Sequence, residues 1–202
     1  MKLEYGDTVL YQDDIKSLGG REFLTDSVIS LFLEILNETS SKAFAVSPSI
    51  VQLMKMTDEN QLNEMFGPLE LEKFDVVLLP VNDSRSVSST LSGAHWSLLC
   101  YVRSEQTAYH IDSASSFNAT DAKKIIQKLS VLTKIRIQGK NMCCSQQTNG
   151  HDCGVYVIYF ARCIVDSFVK NGRFESETVQ NRLPNGYRQG LLDQIKYLQE
   201  QN

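Results

Sequence analysis

Four side chains in this sequence have the types and spacing for acyl-transfer chemistry. Cys153 stands directly before the apolar run "GVYVIYFARCIVDSFV", and Gln147 lies six residues ahead of it. His95 opens "HWSLLCYV", and Asp112 closes "TAYHIDS" seventeen residues later. A thiol becomes a nucleophile when a base accepts its proton, and that base works best when a carboxylate fixes its tautomer. A side-chain amide near the thiol, joined by the thiol's own backbone N–H, can stabilise the oxyanion that attack on a carbonyl creates. The four residues are therefore candidates for nucleophile, base, orienting acid and oxyanion donor.

The spacing must be converted into proximity by secondary structure. "HWSLLCYV" and "TAYHIDS" read as strands joined by a turn at 103–106, which sets position 97 opposite 112. His95 then comes within about one residue pair of Asp112, where cross-strand neighbours approach to ~5 Å. His110 shares a sheet face with Asp112 but lies nearer the turn, and His151 sits in a tight loop beside Cys153, so His95 is the favoured base. The run from Gly154 to Val169 is apolar nearly all round, which predicts a buried helix with Cys153 at its start. The free amides of a helix N-terminus favour a thiolate there. A cysteine before an apolar helix is most often a core residue, and Cys100 and Cys163 read that way. Each short motif is weak alone; the joint pattern favours a site. Cys143 and Cys144 precede the active loop and have no assigned role.

Around this site the pattern is mixed. "LTDSVISLFLEILNET" has helical apolar spacing with Thr25 or Asp26 as N-cap. "PSIVQLMKM" and "NQLNEMFGPL" read as short helices, "DAKKIIQKLSVL" and "YRQGLLDQIKYLQEQ" as amphipathic ones. "FDVVLLPVND" and "KIRIQGKNMCC" read as further strands, and a Ser-rich loop spans 84–94. The expected fold class is α+β: a small central mixed sheet flanked by helices, in one catalytic domain over 1–202.

Composition narrows the class. The net charge of -4 gives no basic stripe for nucleic acid. No apolar run approaches the ~20 residues of a membrane span, and the first twenty residues lack a signal peptide's apolar core. A cytoplasmic or nuclear location is expected. Five cysteines in a reducing compartment should be thiols, and their spacing matches no zinc site; no metal or cofactor is implied.

Taken together, "HW", "HIDS" and "QQTNGHDCGVYV" resemble the ubiquitin-like-protein-specific cysteine proteases of the sentrin/SUMO clan, from Phe23 to the C-terminal helix. The resemblance implies a papain-like fold with catalytic Cys153, His95 and Asp112, and Gln147 in the oxyanion hole. It also implies that Trp96 roofs a tunnel over the Gly-Gly tail of the modifier; only residues without Cβ pass under so close a ring. "REFLTDSVI" is similar to the W-L-N-D-x-I-I segment of the deneddylase branch. Leu24 and Asp26 match it, while Phe23 replaces the tryptophan of the other wall and Thr25 the asparagine. The long loop before His95 also resembles that branch. The expectation is a thiol isopeptidase acting as a monomer on a Nedd/Rub-type modifier and its conjugates, such as cullins, with residues 84–94 contributing to recognition. A SUMO-specific or dual-specificity protease is the alternative, and a non-catalytic modifier-binding module is a third reading.

Overall fold

The computed structural model describes residues 2–86 and 93–201. A five-stranded sheet runs through its centre in the order β3 (Ala43–Ala45), β4 (Val76–Asn82), β5 (Trp96–Val102), β6 (Thr107–Ile111) and β7 (Gln138–Met142). The outer pairs β3–β4 and β6–β7 are parallel, and the inner pairs β4–β5 and β5–β6 are antiparallel. The sheet is therefore mixed, as the α+β reading requires. Every residue of β4 and β5 is buried, which explains their near-continuous Val, Leu and aromatic composition.

Side chains alternate across the two faces and serve two separate cores. On one face, Leu98, Cys100 and Val102 of β5 join Val155, Ile158 and Phe160 of α6 (Cys153–Asn171), with α2 (Asp26–Asn37) and α7 (Tyr187–Gln201) behind. On the other, Leu99 and Tyr101 join Ile125 and Leu129 of α5 (Ala119–Thr133), with α3 (Pro48–Met56) and α4 (Leu62–Phe66) completing that layer. The helix after Cys153 is thus a central buried helix, two residues longer at its C-terminal end than the apolar run from Gly154 to Val169 indicates. Gly172, in the left-handed region at φ 69°, stops it.

Sequence periodicity missed the N-terminal part. An antiparallel pair, β1 (Leu3–Tyr5) and β2 (Thr8–Leu10), precedes the eight-residue helix α1 (Gln12–Gly19). Three-residue strands carry too few alternations to register as a pattern. The "KIRIQGKNMCC" strand narrows to Gln138–Met142 and lies largely exposed at the sheet edge. Within the expected 84–94 loop, residues 87–92 lie outside the described residues.

Candidate active site

The hairpin register is the one that the sequence implies. Leu98 pairs with Ile111, so one step further on Ser97 faces Asp112. The structure places His95 Nε2 2.7 Å from Asp112 Oδ1, with both groups buried. Asp112 also accepts the backbone N–H of Ala114 on Oδ1 at 2.8 Å, closing an Asx turn, and that of Asn118 on Oδ2 at 3.0 Å. Burial works against this carboxylate, but the hydrogen bonds from His95, Asn118 and Ala114 outweigh it and hold it below the usual range.

With Nε2 committed to Asp112, Nδ1 is the nitrogen left for another partner. The thiol of Cys153, the first residue of α6 and 1% exposed, is close enough to raise the proton affinity of this imidazole. Burial pushes the His95 imidazolium down, but its interactions with Asp112 and Cys153 outweigh it. Its value is pushed up to about 9. At neutral pH His95 is then a cation, the form that stabilises a neighbouring thiolate and can protonate a leaving amine.

Residues that sequence reasoning did not single out hold this pair. The Asn118 side-chain amide donates to the backbone carbonyls of Val81 and His95, both at 3.1 Å. Asp83 accepts the backbone N–H groups of Ala94 and His95 at 2.7 and 3.0 Å. Phe117, 65% exposed, meets the His95 ring edge-on at 5.4 Å between centroids. Gly93 sits so close to Asn82 that an added Cβ would fall 2.0 Å from its Oδ1. The "HIDSASSFN" segment carries a visible Asx-turn signal at Asp112, but bonds from Asn118 to a distant strand have no local signature.

Gln147 is anchored rather than free to swing. Its backbone N–H donates to the carbonyl of Ser113 at 2.9 Å, and its Oε1 accepts from Ser113 Oγ at 2.8 Å. One N–H of its amide donates to the carbonyl of Asn149 at 2.6 Å, and a primary amide carries a second. Cys144 lies against the same segment, its thiol donating to the Asp112 carbonyl at 3.2 Å; burial pushes that thiol up to about 11. All five cysteines are free. His110 bonds Ser97 Oγ at 2.9 Å and stays 3.9 Å from Asp112; burial holds it below the ordinary imidazole value. His151 stands 3.9 Å from Asp152 and has no bond to the thiol among those the structure shows.

A slot of about 100 Å³ opens on the His95 side of the site, lined by Phe23, Leu24, Asp26, Gly93, Ala94, His95 and Trp96. It brings together the three residues expected to contact a substrate, namely Trp96, Phe23 and Asp26. Trp96 is almost wholly buried, while Phe23 is 50% exposed. Among the described residues no group of His, Cys, Asp and Glu could hold a metal ion.

A thiol on a buried helix, an imidazole on a strand end and a carboxylate aligned behind it, all on a helix-flanked sheet, define a papain-like cysteine protease. The chain belongs to the Ulp1 protease family: residues 22–185 match the family's C-terminal catalytic domain. It is 34% identical over 214 residues to NEDD8-specific protease 1 of Arabidopsis thaliana, a match covering 99% of this chain and 94% of that protein. It is 30% identical over 179 residues to human sentrin-specific protease 8, covering 83% of this chain and 82% of that one. Among solved structures it is similar in fold to the Ulp1 protease domain in complex with SMT3, the yeast orthologue of SUMO. There the TM-score is 0.72 at 17% identity, with 98% of this chain and 88% of that chain covered.

Proposed function

We propose that this protease cleaves after the C-terminal Gly-Gly of a NEDD8-type modifier, releasing it from lysines of conjugates such as cullins and trimming its precursor. The observation that carries the reading is the His95–Asp112 pair acting on Cys153, with His95 itself in the wall of a small slot lined by Phe23 and Trp96. The NEDD8-specific protease 1 of Arabidopsis thaliana is 34% identical with 94% of its length covered, whereas solved SUMO protease structures share the fold at 17–18% identity.

The Cys153 proton already resides on His95 Nδ1 in the resting ion pair, and the Sγ thiolate attacks the carbonyl carbon of the terminal glycine. The C=O electron pair moves to oxygen, and the oxyanion is met by the backbone N–H of Cys153 and the unengaged N–H of Gln147. His95 returns the proton to the departing lysine amine, leaving a thioester between Cys153 and the modifier. Water, deprotonated by His95, then attacks the thioester and frees the glycine carboxylate and the thiol. Asp112 holds His95 in position throughout. The protein acts as a monomer in the cytoplasm or nucleus in this reading, which light scattering and imaging of a tagged chain would check. Turnover of a modifier–fluorophore fusion tests the activity: wild type should release the fluorophore and Cys153→Ala should not. Equal rates would leave a modifier-binding module as the function.

A further inference from the structure

We infer that Arg188 is a positioning residue that registers the wall of the Gly-Gly slot against the nucleophile helix. This inference rests on the protease reading above. Arg188 lies in the first turn of α7, outside residues 22–185 of the family match. Its guanidinium reaches three parts of the chain. Nη1 donates to Asp152 Oδ1 at 2.5 Å. Nε and Nη2 donate to the carbonyls of Leu18 and Ser17 at 3.2 and 2.6 Å, and Nη2 also donates to the carbonyl of Glu22 at 2.5 Å. Leu18 and Ser17 belong to the last turn of α1, whose carbonyls have no partner within the helix. Glu22 directly precedes Phe23, the exposed aromatic wall of the slot.

The other end of the clamp is the residue before the nucleophile. Asp152 occupies the N-cap of α6, yet its side chain makes no cap bond. Its carboxylate is turned instead to Arg188 and, at 2.7 Å, to Asn149 Nδ2. Between these anchors the wall presses on the helix itself. A Cβ at Gly154 would lie 3.0 Å from Leu24 Cβ and 3.3 Å from Ile29 Cδ1, so the glycine after the nucleophile allows the Phe23–Leu24 segment its close approach. The segment's far end is tied by Thr25 Oγ1 donating to Asp14 Oδ1 at 2.7 Å. Arg188 is therefore the group that joins segment 20–25 to the Cys153 loop from behind. A planar fork can serve one carboxylate and three carbonyls at once; a lysine ammonium at the same place can keep the charge pair but not the span.

The two sides of this clamp can be read separately. A small neutral chloroacetamide reports on the thiol and imidazole and needs no slot, whereas an electrophilic probe built on the modifier must thread its tail past Phe23. In Arg188→Ala the rate of labelling by a NEDD8-type probe should fall by about tenfold to a hundredfold, since a misplacement near 1 Å can cost up to about 10²-fold. Chloroacetamide alkylation of Cys153 should change far less, and Arg188→Lys should lie between Ala and wild type with the probe. If Arg188→Ala does not fold, Arg188→Lys carries the test by the same comparison. Equal loss with both reagents, or wild-type probe labelling in a folded variant, would overturn the inference. Failure of the wild-type protein to react with any modifier probe would instead sink the protease reading.

Discussion

At the scale of single residues, the site is a set of opposed demands that hydrogen bonding resolves. His95 and Asp112 are both buried, which disfavours either charge, yet each stabilises the other's ionised form. The pH consequences have definite signs. The raised His95 value means its contribution to stability is complete below its ordinary 6.5 and is lost as pH rises through about 9. The lowered Asp112 value adds stability above its ordinary 3.8, lost as pH falls through its native value. The basic limb of kcat/KM should therefore fall near pH 9, where the imidazolium is lost. Asp112→Asn should shift that limb to lower pH and reduce kcat by several orders of magnitude, up to about 10⁴, with little change in far-UV circular dichroism. A basic limb unmoved in Asp112→Asn would deny the carboxylate its orienting role. These residues were legible in the sequence because strand periodicity converts spacing into proximity. Asn118, Phe117 and Arg188 were not, because each reaches its partner only through tertiary folding.

At the scale of elements, the site depends on how closely three pieces approach: the α1–α2 connection, the start of α6 and the β4–β5 end. Gly154 is where the α1–α2 connection meets α6, an added Cβ falling 3.0 Å from Leu24 Cβ. Gly154→Ala should overpack against Leu24, with a loss of about 1–3 kcal/mol in denaturant melts and a raised KM for modifier substrates; an unchanged KM would mean the wall tolerates displacement. On the opposite face, Asp121 of α5 holds the end of β4. Its carboxylate lies 3.6 Å from the buried Lys55 ammonium, 3.1 Å from Arg85 and 3.3 Å from Lys124. Lys55 also donates to the carbonyls of Asn82 and Ser84, at 2.5 and 2.9 Å. Asp121→Ala would strand that ammonium, so urea denaturation should show a loss of about 3–5 kcal/mol; a near-neutral effect would show that the carbonyls alone suffice. Helix α2 was legible from its apolar spacing and α6 from the length of its nearly continuous apolar run. The β1–β2 pair, α1 and β3 were not, being short elements fixed by what they pack against. The role of Asp121 has no local signature, since its buried partner Lys55 lies sixty-six residues upstream.

At the scale of the whole molecule, a central sheet between two cores carries a site at one end of its middle strands, with Phe23 and Phe117 exposed beside it. Such aromatic groups suit a slot covered by substrate. Phe23→Ala should raise KM for a modifier substrate while leaving chloroacetamide alkylation of Cys153 unchanged; a change in kcat alone would remove Phe23 from the binding wall. The fold class and the pairing of His95 with Asp112 could be inferred from sequence because motif and register agree. Modifier preference is less legible, since it depends on a wide surface rather than on a short motif. The most direct measurement is covalent capture by C-terminal electrophilic probes of NEDD8, SUMO and ubiquitin, with peptide mass mapping of the adduct. The expected result is a NEDD8-type adduct on Cys153, formed faster than with the other two and absent in Cys153→Ala. An adduct with SUMO alone, or one that persists in Cys153→Ala, would contradict it.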